Sequence, residues 1–524
     1  MNGGQALIRS LYREGVRILF GLPGAGQYEA IDAISGQPEM RYITTRHEQA
    51  VGYMADGYAR ASGQPGVGLV VQGPGFYNTT AALATAFAVS SPVLMITGTH
   101  HRAHDATLPD YDGLAYHRQY AKWAGRANTP GEIPGMVHEA FRQLKTGRKR
   151  PVVVEVASAA LAGHGEVELL PPEKHPLPAG DAEQLAEAAR ILAGTRHPLI
   201  WAGGGAIQSG ASLVLQALAE YLQAPVVTTR SGKGALSDRH PLSLGMAELG
   251  YRPLKEWIDR RDVILAVGTG RGFGDRLDRQ RVIRIDIDPA EISRARHHTC
   301  GVAGDARLCL EKLYRLVSAM TPIRPDCADE VRALNAARFG PEEQLQPQAD
   351  FMRAIRNAIP DDGILISDMN QMGYYSRNYY PVYTPGTFLT VSSHGTLGCA
   401  YPIALGAKLA QPGRAVVPVL GDGGFLYNAQ EMATAVQYGI GVVGVVFNDN
   451  AYGNVLRAQM EQFNGRVIGT RLHNPDFTQL AGAFGMQGIR VESAEALERA
   501  LREALDNDAP ALIEVPVGMM QRRY

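Results

Sequence analysis

The chain has 524 residues, with 51 Lys and Arg against 52 Asp and Glu, a formal net charge of −1. That balance leaves no electrostatic footprint for nucleic acid or an anionic membrane, and no apolar run approaches the roughly 18 residues of a bilayer span. At 45% hydrophobic and 20% charged residues the composition is that of a soluble globular protein, long enough for about three domains. Cys300, Cys309, Cys327 and Cys399 have no CxxC spacing, so free thiols in a reducing cytoplasm are expected rather than disulfides or zinc ligands. The amino terminus, Met1-Asn2-Gly3-Gly4-Gln5, has no basic region followed by an apolar core, so no signal peptide is expected.

Residues 1–163 alternate between strand and helix patterns, with strands predicted at 18–20, 68–71, 93–97 and 152–156. Helices between consecutive strands imply a mostly parallel sheet. Two glycine-rich turns follow strands in this unit, Gly21-Leu22-Pro23-Gly24-Ala25-Gly26 and Gln72-Gly73-Pro74-Gly75, the second with Asn78 close behind. The segment Arg46 to Arg60 reads as an amphipathic helix, with Ala50, Met54, Gly57 and Tyr58 toward the core and Glu48 in the first turn, where the helix dipole favours an acid. His100, His101 and His104 follow a strand end, but their spacing is not that of a metal site. They are taken as loop residues near a pocket mouth.

A polar stretch with Pro171, Pro172, Pro176 and Pro178 reads as a linker. Residues 183–320 then repeat the strand and helix rhythm, with strands predicted at 199–202, 225–228, 263–267 and 282–287. Ala202-Gly203-Gly204-Gly205 follows the first of these, and a glycine-rich turn after a strand can hold a dinucleotide, although glycine runs alone are weak signals. Residues 322–347 form a second connector with room for some helix.

The third unit, 348–524, carries the densest chemistry. An apolar strand at 415–420 runs into Gly421-Asp422-Gly423-Gly424, the segment 427–438 reads as a helix, and a second apolar strand at 442–447 delivers Asn448-Asp449-Asn450-Ala451-Tyr452-Gly453-Asn454. Both acidic residues therefore stand at carboxyl ends of neighbouring strands, where ligands of open α/β sheets sit. The glycines leave backbone N–H groups open to an anion. Two hard carboxylates beside a phosphate-sized cradle suit Mg²⁺, which shares its shell between carboxylate and phosphate oxygens.

The whole constellation resembles the diphosphate and Mg²⁺ motif of thiamin diphosphate (ThDP) enzymes. The segment beginning at Glu48 also resembles that family's E-x-x-A-x-x-M-A-x-G-x-A-R pattern, matching at Glu48, Met54, Ala55, Gly57, Ala59 and Arg60, with Val51 at its first alanine. The resemblance runs the full length of the chain. It implies an α/β protein of three doubly wound parallel-sheet domains: pyrimidine-binding (1–163), middle (183–320) and diphosphate-binding (348–524). It implies Glu48 as the catalytic acid on the coenzyme's aminopyrimidine, and Asp422, Asp449 and the Ala451 carbonyl as ligands of Mg²⁺. Asp449 stands where the family commonly has Asn, which adds a negative charge. Gly421, Gly423, Gly424, Tyr452, Gly453 and Asn454 are implied as cofactor-binding. So are Asn370, in a segment resembling a diphosphate-contacting loop, and Gly395 and Leu397 in Ser393-His394-Gly395-Thr396-Leu397-Gly398, with Leu397 as the wedge between the coenzyme's rings. Ala25 and Gln72 are implied in the substrate pocket. FAD is a candidate occupant of the middle unit.

The resemblance is to acetolactate synthase-like large subunits in particular. It implies decarboxylation of a 2-oxo acid and transfer of the resulting acyl carbanion or enamine to a second carbonyl compound. It also implies sites completed between subunits, hence at least a homodimer, dimer or tetramer. Two departures stand out: no Phe-Gln-Glu element occurs between Ala106 and Lys122, and no Met-His-Gly follows Gly245. Simple decarboxylation to an aldehyde, and a catalytically inert module on the same fold, are the alternative readings.

Overall fold

The computed structural model describes residues 1–99, 113–270, 280–294, 299–391 and 393–521. His100, His101, His104 and the segment Pro109–Asp112 lie outside the described residues. Three six-stranded sheets organise the chain, and all their paired strands are parallel. From edge to edge, the first runs Arg41–Thr44, Ile18–Gly21, Gly66–Val70, Val93–Gly98, Val152–Val156 and Trp123–Ala127. The middle sheet runs Cys300–Ala303, Arg281–Asp286, Val263–Val267, Pro198–Ala202, Val226–Thr228 and Ser243–Met246. The third runs Phe388–Thr390, Ile364–Ser367, Val416–Gly421, Val443–Asn448, Ala511–Pro516 and Gln487–Arg490.

With strands numbered within each sheet, the first and third share the order 2-1-3-4-6-5, while the middle one has 3-2-1-4-5-6. The order reverses between strands 1 and 3 in the former and between strands 1 and 4 in the latter. A crevice opens at each reversal, outside the carboxyl ends of the strands. Central strands such as Val152–Val156 are buried along their whole length, as expected where helices cover both faces of a parallel sheet. Edge strands such as Arg41–Thr44 and Gln487–Arg490 are half open to solvent and polar, which is why no apolar run marks them in the sequence.

The first and third units share one apolar core, in which Tyr53, Met54 and Ala55 pack with Tyr401, Ile403 and Leu405. The contact is a crossing of two helices, Glu48–Ser62 and Ala400–Ala410. Gly57 faces the Ile403 backbone and Gly406 faces the Met54 backbone, each so closely that a Cβ would overlap a carbonyl group. Two reciprocal glycines thus let the helix that begins with Glu48 lie directly against the third unit. The middle unit keeps separate cores of its own.

One local expectation needs correction. The stretch 427–438 is not one helix: a short helical turn Asp422–Phe425 comes first, and the regular helix is only Met432–Tyr438, entered through the 3₁₀ turn Ala429–Glu431. The interruption falls at Asn428, which leaves helical geometry at φ −133° and turns its side chain to the Gly398 carbonyl. The connector at 322–347 contains a 12-residue helix, Ala328–Phe339. The four cysteines are free, and Cys300, Cys309 and Cys399 are buried. Among the described residues no helix is long and apolar enough to cross a membrane.

Candidate active site

At the reversal of the third sheet, strand Val416–Gly421 ends in the turn that carries Asp422, which is buried. The neighbouring strand Val443–Asn448 carries the half-buried Asp449 to the same edge. Burial raises the proton affinity of both carboxyls, and the proximity of Asp422 raises that of Asp449 further. Two facing carboxylates with no cation between them are an unfavourable pair, and a divalent ion relieves that repulsion. Asp449 Oδ1 also accepts a hydrogen bond from the Ala451 backbone N–H at 3.2 Å. Among the described residues no hydrogen bond takes the Ala451 carbonyl, which leaves it available as an oxygen ligand. Among the described residues no group of three or more His, Cys, Asp or Glu side chains is arranged to hold a metal ion. A cation here would therefore rest on two carboxylates, a peptide oxygen and oxygens of a ligand, the donor set of Mg²⁺ bound through a diphosphate.

The surrounding glycines are required by space. Gly423 lies under the Tyr452 ring, 2.7 Å from where a Cβ would sit, and Gly421 lies against Asn370 at 2.9 Å. Gly453 leaves no room for a side chain beside Asp449, and Gly424 sits over the buried carboxyl of Asp368. The backbone around Asp422 is therefore bare, as an anion cradle must be. Asn370 is beside the cradle, but its amide is engaged structurally. It caps the helix Gln371–Tyr379 through Gly373 N–H at 2.8 Å and donates to the Val419 carbonyl at 2.8 Å. Asn454 accepts from Gln371 at 3.3 Å at the rim.

Asn474 was not singled out by sequence reasoning. Its Nδ2 donates to Asp422 Oδ2 at 2.6 Å, to Asn448 Oδ1 at 3.1 Å and to Asn450 Oδ1 at 3.3 Å. It arrives from a distant loop, brought in by the bridge between Ala451 and Arg471. Asp368 was missed as well. It is fully buried at the end of strand Ile364–Ser367, accepts from the Met369 N–H, and has no partner for Oδ2. Burial pushes its carboxyl up to about 7.

In the first unit, Glu48 is the first residue of its helix, behind His47, whose Nδ1 accepts from Gln49 N–H at 3.2 Å. Asn78 Nδ2 donates to Glu48 Oε2 at 3.0 Å. Gln72 follows strand Gly66–Val70 in the turn at that sheet's own reversal, with a buried Oε1 that has no hydrogen-bond partner among the described residues. Gln27, fully buried, leaves both amide atoms in the same state. Unmade bonds of this kind cost free energy unless a ligand or water completes them. Ala25 is exposed on the neighbouring turn.

The turn Ser393–Gly398 spans the two halves. Thr396 meets Thr85 of the helix Pro74–Ala88, Oγ1 to Oγ1, at 3.0 Å, and the Gly398 carbonyl accepts from Asn428 at 2.8 Å. Gly395 takes the left-handed conformation at φ 89°, and Leu397 stays half-buried rather than sinking into the core. Gln49 donates to the Tyr427 carbonyl at 3.0 Å. Glu48, the Leu397 turn and the cradle are therefore held in one framework. Among the described residues no hydrogen bond joins Glu48 or Asn78 directly to Asp422 or Asp449.

At the reversal of the middle sheet, Gly203 and Gly205 pack against the Gly268 backbone. A cavity of about 1030 Å³ opens there, bordered by Gly204, Thr229, Arg230, Gly268 and Asp286 and reaching Arg377 of the third unit. Burial pushes the Asp286 carboxyl up to about 6.

Comparison with known proteins gives three family matches. Residues 1–119 match the thiamine pyrophosphate enzyme N-terminal TPP binding domain, 185–313 the central domain and 368–515 the C-terminal TPP binding domain. A probable acetolactate synthase large subunit of Methanocaldococcus jannaschii is 34% identical, over 99% of this chain and 92% of that protein. Acetolactate synthase isozyme 3 large subunit of Escherichia coli is 32% identical, over 100% and 96%. A probable 2-ketoarginine decarboxylase, AruI, of Pseudomonas aeruginosa is 35% identical, over 98% and 94%.

Proposed function

Because this chain belongs to the thiamine pyrophosphate enzyme family, we propose that it decarboxylates a 2-oxo acid and transfers the acyl unit to a second carbonyl compound, in the manner of its acetolactate synthase relatives. The reading is carried by Glu48 held by Asn78 together with the bare glycine cradle around Asp422 and Asp449, which meet across two copies of the chain. Thiamin diphosphate held there would supply an acidic ring carbon as nucleophile and an electron sink for decarboxylation. The first unit (1–163) takes the pyrimidine half and the third (348–524) the diphosphate half.

The roles of this chain's residues follow. Glu48 holds a proton at the pyrimidine ring nitrogen, and Asn78 fixes which way its carboxyl points. Asp422, Asp449 and the Ala451 carbonyl hold Mg²⁺, with Asn474 orienting Asp422. The N–H groups of Gly421, Gly423 and Gly424 receive the diphosphate, with Tyr452, Gly453 and Asn454 at the rim. Leu397 would supply an apolar wedge against the coenzyme, with Gly395 beside it in the same turn. Gln72, with its unpaired amide oxygen, and Ala25 border the substrate.

A second copy of the chain completes the site. Beside Glu48 lie Tyr77, 40% exposed, Leu426, 37%, and Tyr427, 48%. Exposed apolar side chains beside a site support a surface that is covered in the working assembly. The middle unit, 183–320, has the strand order of dinucleotide-binding sheets and a cavity at the expected reversal, and we assign that cavity to FAD. A yellow colour on purification tests this assignment.

Release of a free aldehyde is the second reading, favoured by the 35% identity to the 2-ketoarginine decarboxylase. Mass spectrometry of products from a 2-oxo acid panel, with and without an aldehyde acceptor, separates the two. Condensation products support transfer, and aldehyde alone in both arms refutes it. Glu48→Gln should lose most turnover while still binding the coenzyme, and near-normal turnover would remove Glu48 from its role.

A further inference from the structure

Glu431 is a fully buried carboxylate that belongs to neither the cradle nor the pyrimidine pocket. It closes the 3₁₀ turn Ala429–Glu431, nine positions after Asp422. Its oxygens point across the boundary between units, at the turn immediately ahead of Glu48. The Arg46 backbone N–H donates to Glu431 Oε1 at 3.0 Å and to Oε2 at 3.2 Å, and the His47 peptide favours the charged form of this carboxyl. Thr434 Oγ1 donates to Oε2 at 2.7 Å and fixes the side chain's rotamer.

The rest of the turn is tied to the same short segment. Thr44 N–H donates to the Tyr438 hydroxyl at 2.9 Å, the Arg46 guanidinium donates to Gln437 at 2.8 Å, and Gln49 donates to the Tyr427 carbonyl at 3.0 Å. A buried carboxylate is costly unless hydrogen-bonded: burial pushes the Glu431 carboxyl up to about 7, and the peptide donor at the head of the helix offsets part of that cost. The positive end of the helix Glu48–Ser62 favours it further. Packing between units needs only apolar surface, which the crossing at Gly57 and Gly406 already supplies. What the carboxylate adds is a fixed direction for the backbone from which Glu48 projects.

We infer that Glu431 is the positioning residue for Glu48, holding the peptide N–H group of residue 46 so that the Glu48 carboxyl is presented at one place and angle. This rests on the reading of Glu48 given above. In Glu431→Gln an amide NH₂ replaces one acceptor oxygen and meets peptide donors, so the turn loosens without removal of volume.

The test uses the full-length protein. In the cofactor-free form, Glu431→Gln should raise amide hydrogen exchange in residues 44–50 by about tenfold or more, without change in 416–421. In the loaded enzyme it should lower kcat about 10–100-fold, the scale of a displaced catalytic group, with thiamin diphosphate affinity within about threefold because the cradle is untouched. Combined with Glu48→Gln, it should cost less than about twofold more, since a positioning residue has nothing left to position. Unchanged exchange in 44–50, or kcat losses that multiply in full in the double variant, would overturn the inference. Thr434→Val keeps the carboxylate and removes one of its bonds. It should show the same pattern at about 2–10-fold, and decides the matter if Glu431→Gln does not fold. Near-normal turnover of Glu48→Gln alone would overturn the reading of Glu48 and this inference with it. A dead Glu48→Gln beside a fully active Glu431→Gln would overturn only this one.

Discussion

Gly57→Ala tests the link between packing and chemistry most directly. A Cβ at Gly57 would lie 2.8 Å from the carbonyl carbon of Ile403 and nearer still to its oxygen. Carbon atoms rest at about 3.5–4.0 Å, so the helices Glu48–Ser62 and Ala400–Ala410 must part by about 1 Å. No rotamer change can relieve this, because the opposing atoms are backbone within a helix. Overpacking of this kind costs about 1–3 kcal/mol, and a rigid backbone partner puts Gly57 at the upper end. Alanine's better helix propensity returns about 1 kcal/mol, leaving a net loss of about 2 kcal/mol. Glu48 heads the displaced helix, and a misplacement of about 1 Å costs on the order of 10²-fold in rate. Urea unfolding followed by circular dichroism, together with turnover of a 2-oxo acid, reads both effects. Gly135→Ala is the control: it sits in the helix Ile133–Lys145 with nothing within 4 Å of its Cβ, and should be neutral or more stable by up to about 1 kcal/mol. A Gly57→Ala protein that unfolds at the parent urea concentration and turns over normally would refute the argument that the two glycines set the position of Glu48.

Asp422→Ala should stay folded and lose thiamin diphosphate affinity by about 10²-fold or more in the presence of Mg²⁺, as read by calorimetry; tight binding would remove Asp422 from the metal site. Asn474→Ala removes the 2.6 Å donor to Asp422, a charge-assisted bond of about 1.5–3 kcal/mol. Mg²⁺ should then bind about 10–100-fold more weakly by titration, and unchanged affinity would make Asn474 a bystander. Asp368 gives a pH signature. Burial holds its carboxyl near 7 against an ordinary 3.8, so above about pH 4 the folded protein keeps a proton that the unfolded chain releases. Its contribution to stability is present below that pH and is lost as pH rises through 7, by at most about 4 kcal/mol. Asp368→Asn should therefore gain stability over the parent at pH 8 compared with pH 4.5 in urea titrations of the cofactor-free protein; an equal difference at both pH values would contradict this.

The acidic cradle was readable along the chain because its parts are local. An apolar strand, a glycine-flanked Asp422, a short helix and a second apolar strand ending at Asp449 lie within one β-α-β unit, and strand ends determine where such side chains emerge. Glu48 was readable because a helix start and its small-residue face are also local patterns. The edge strands Arg41–Thr44 and Gln487–Arg490 were not, because half-exposed strands carry no apolar run. Asn474, Asp368 and Glu431 were silent for a different reason. Each acts through a neighbour supplied by a distant segment: Asn474 reaches Asp422 through the bridge at Ala451, Asp368 lies beneath Gly424, and Glu431 holds a turn 385 positions away. Local patterning specifies which elements form and which atoms they present. Which presented atoms meet depends on how the sheets pack, and here the reciprocal approach of Gly57 and Gly406 decides that by bringing the head of one helix to the foot of the other unit's cradle.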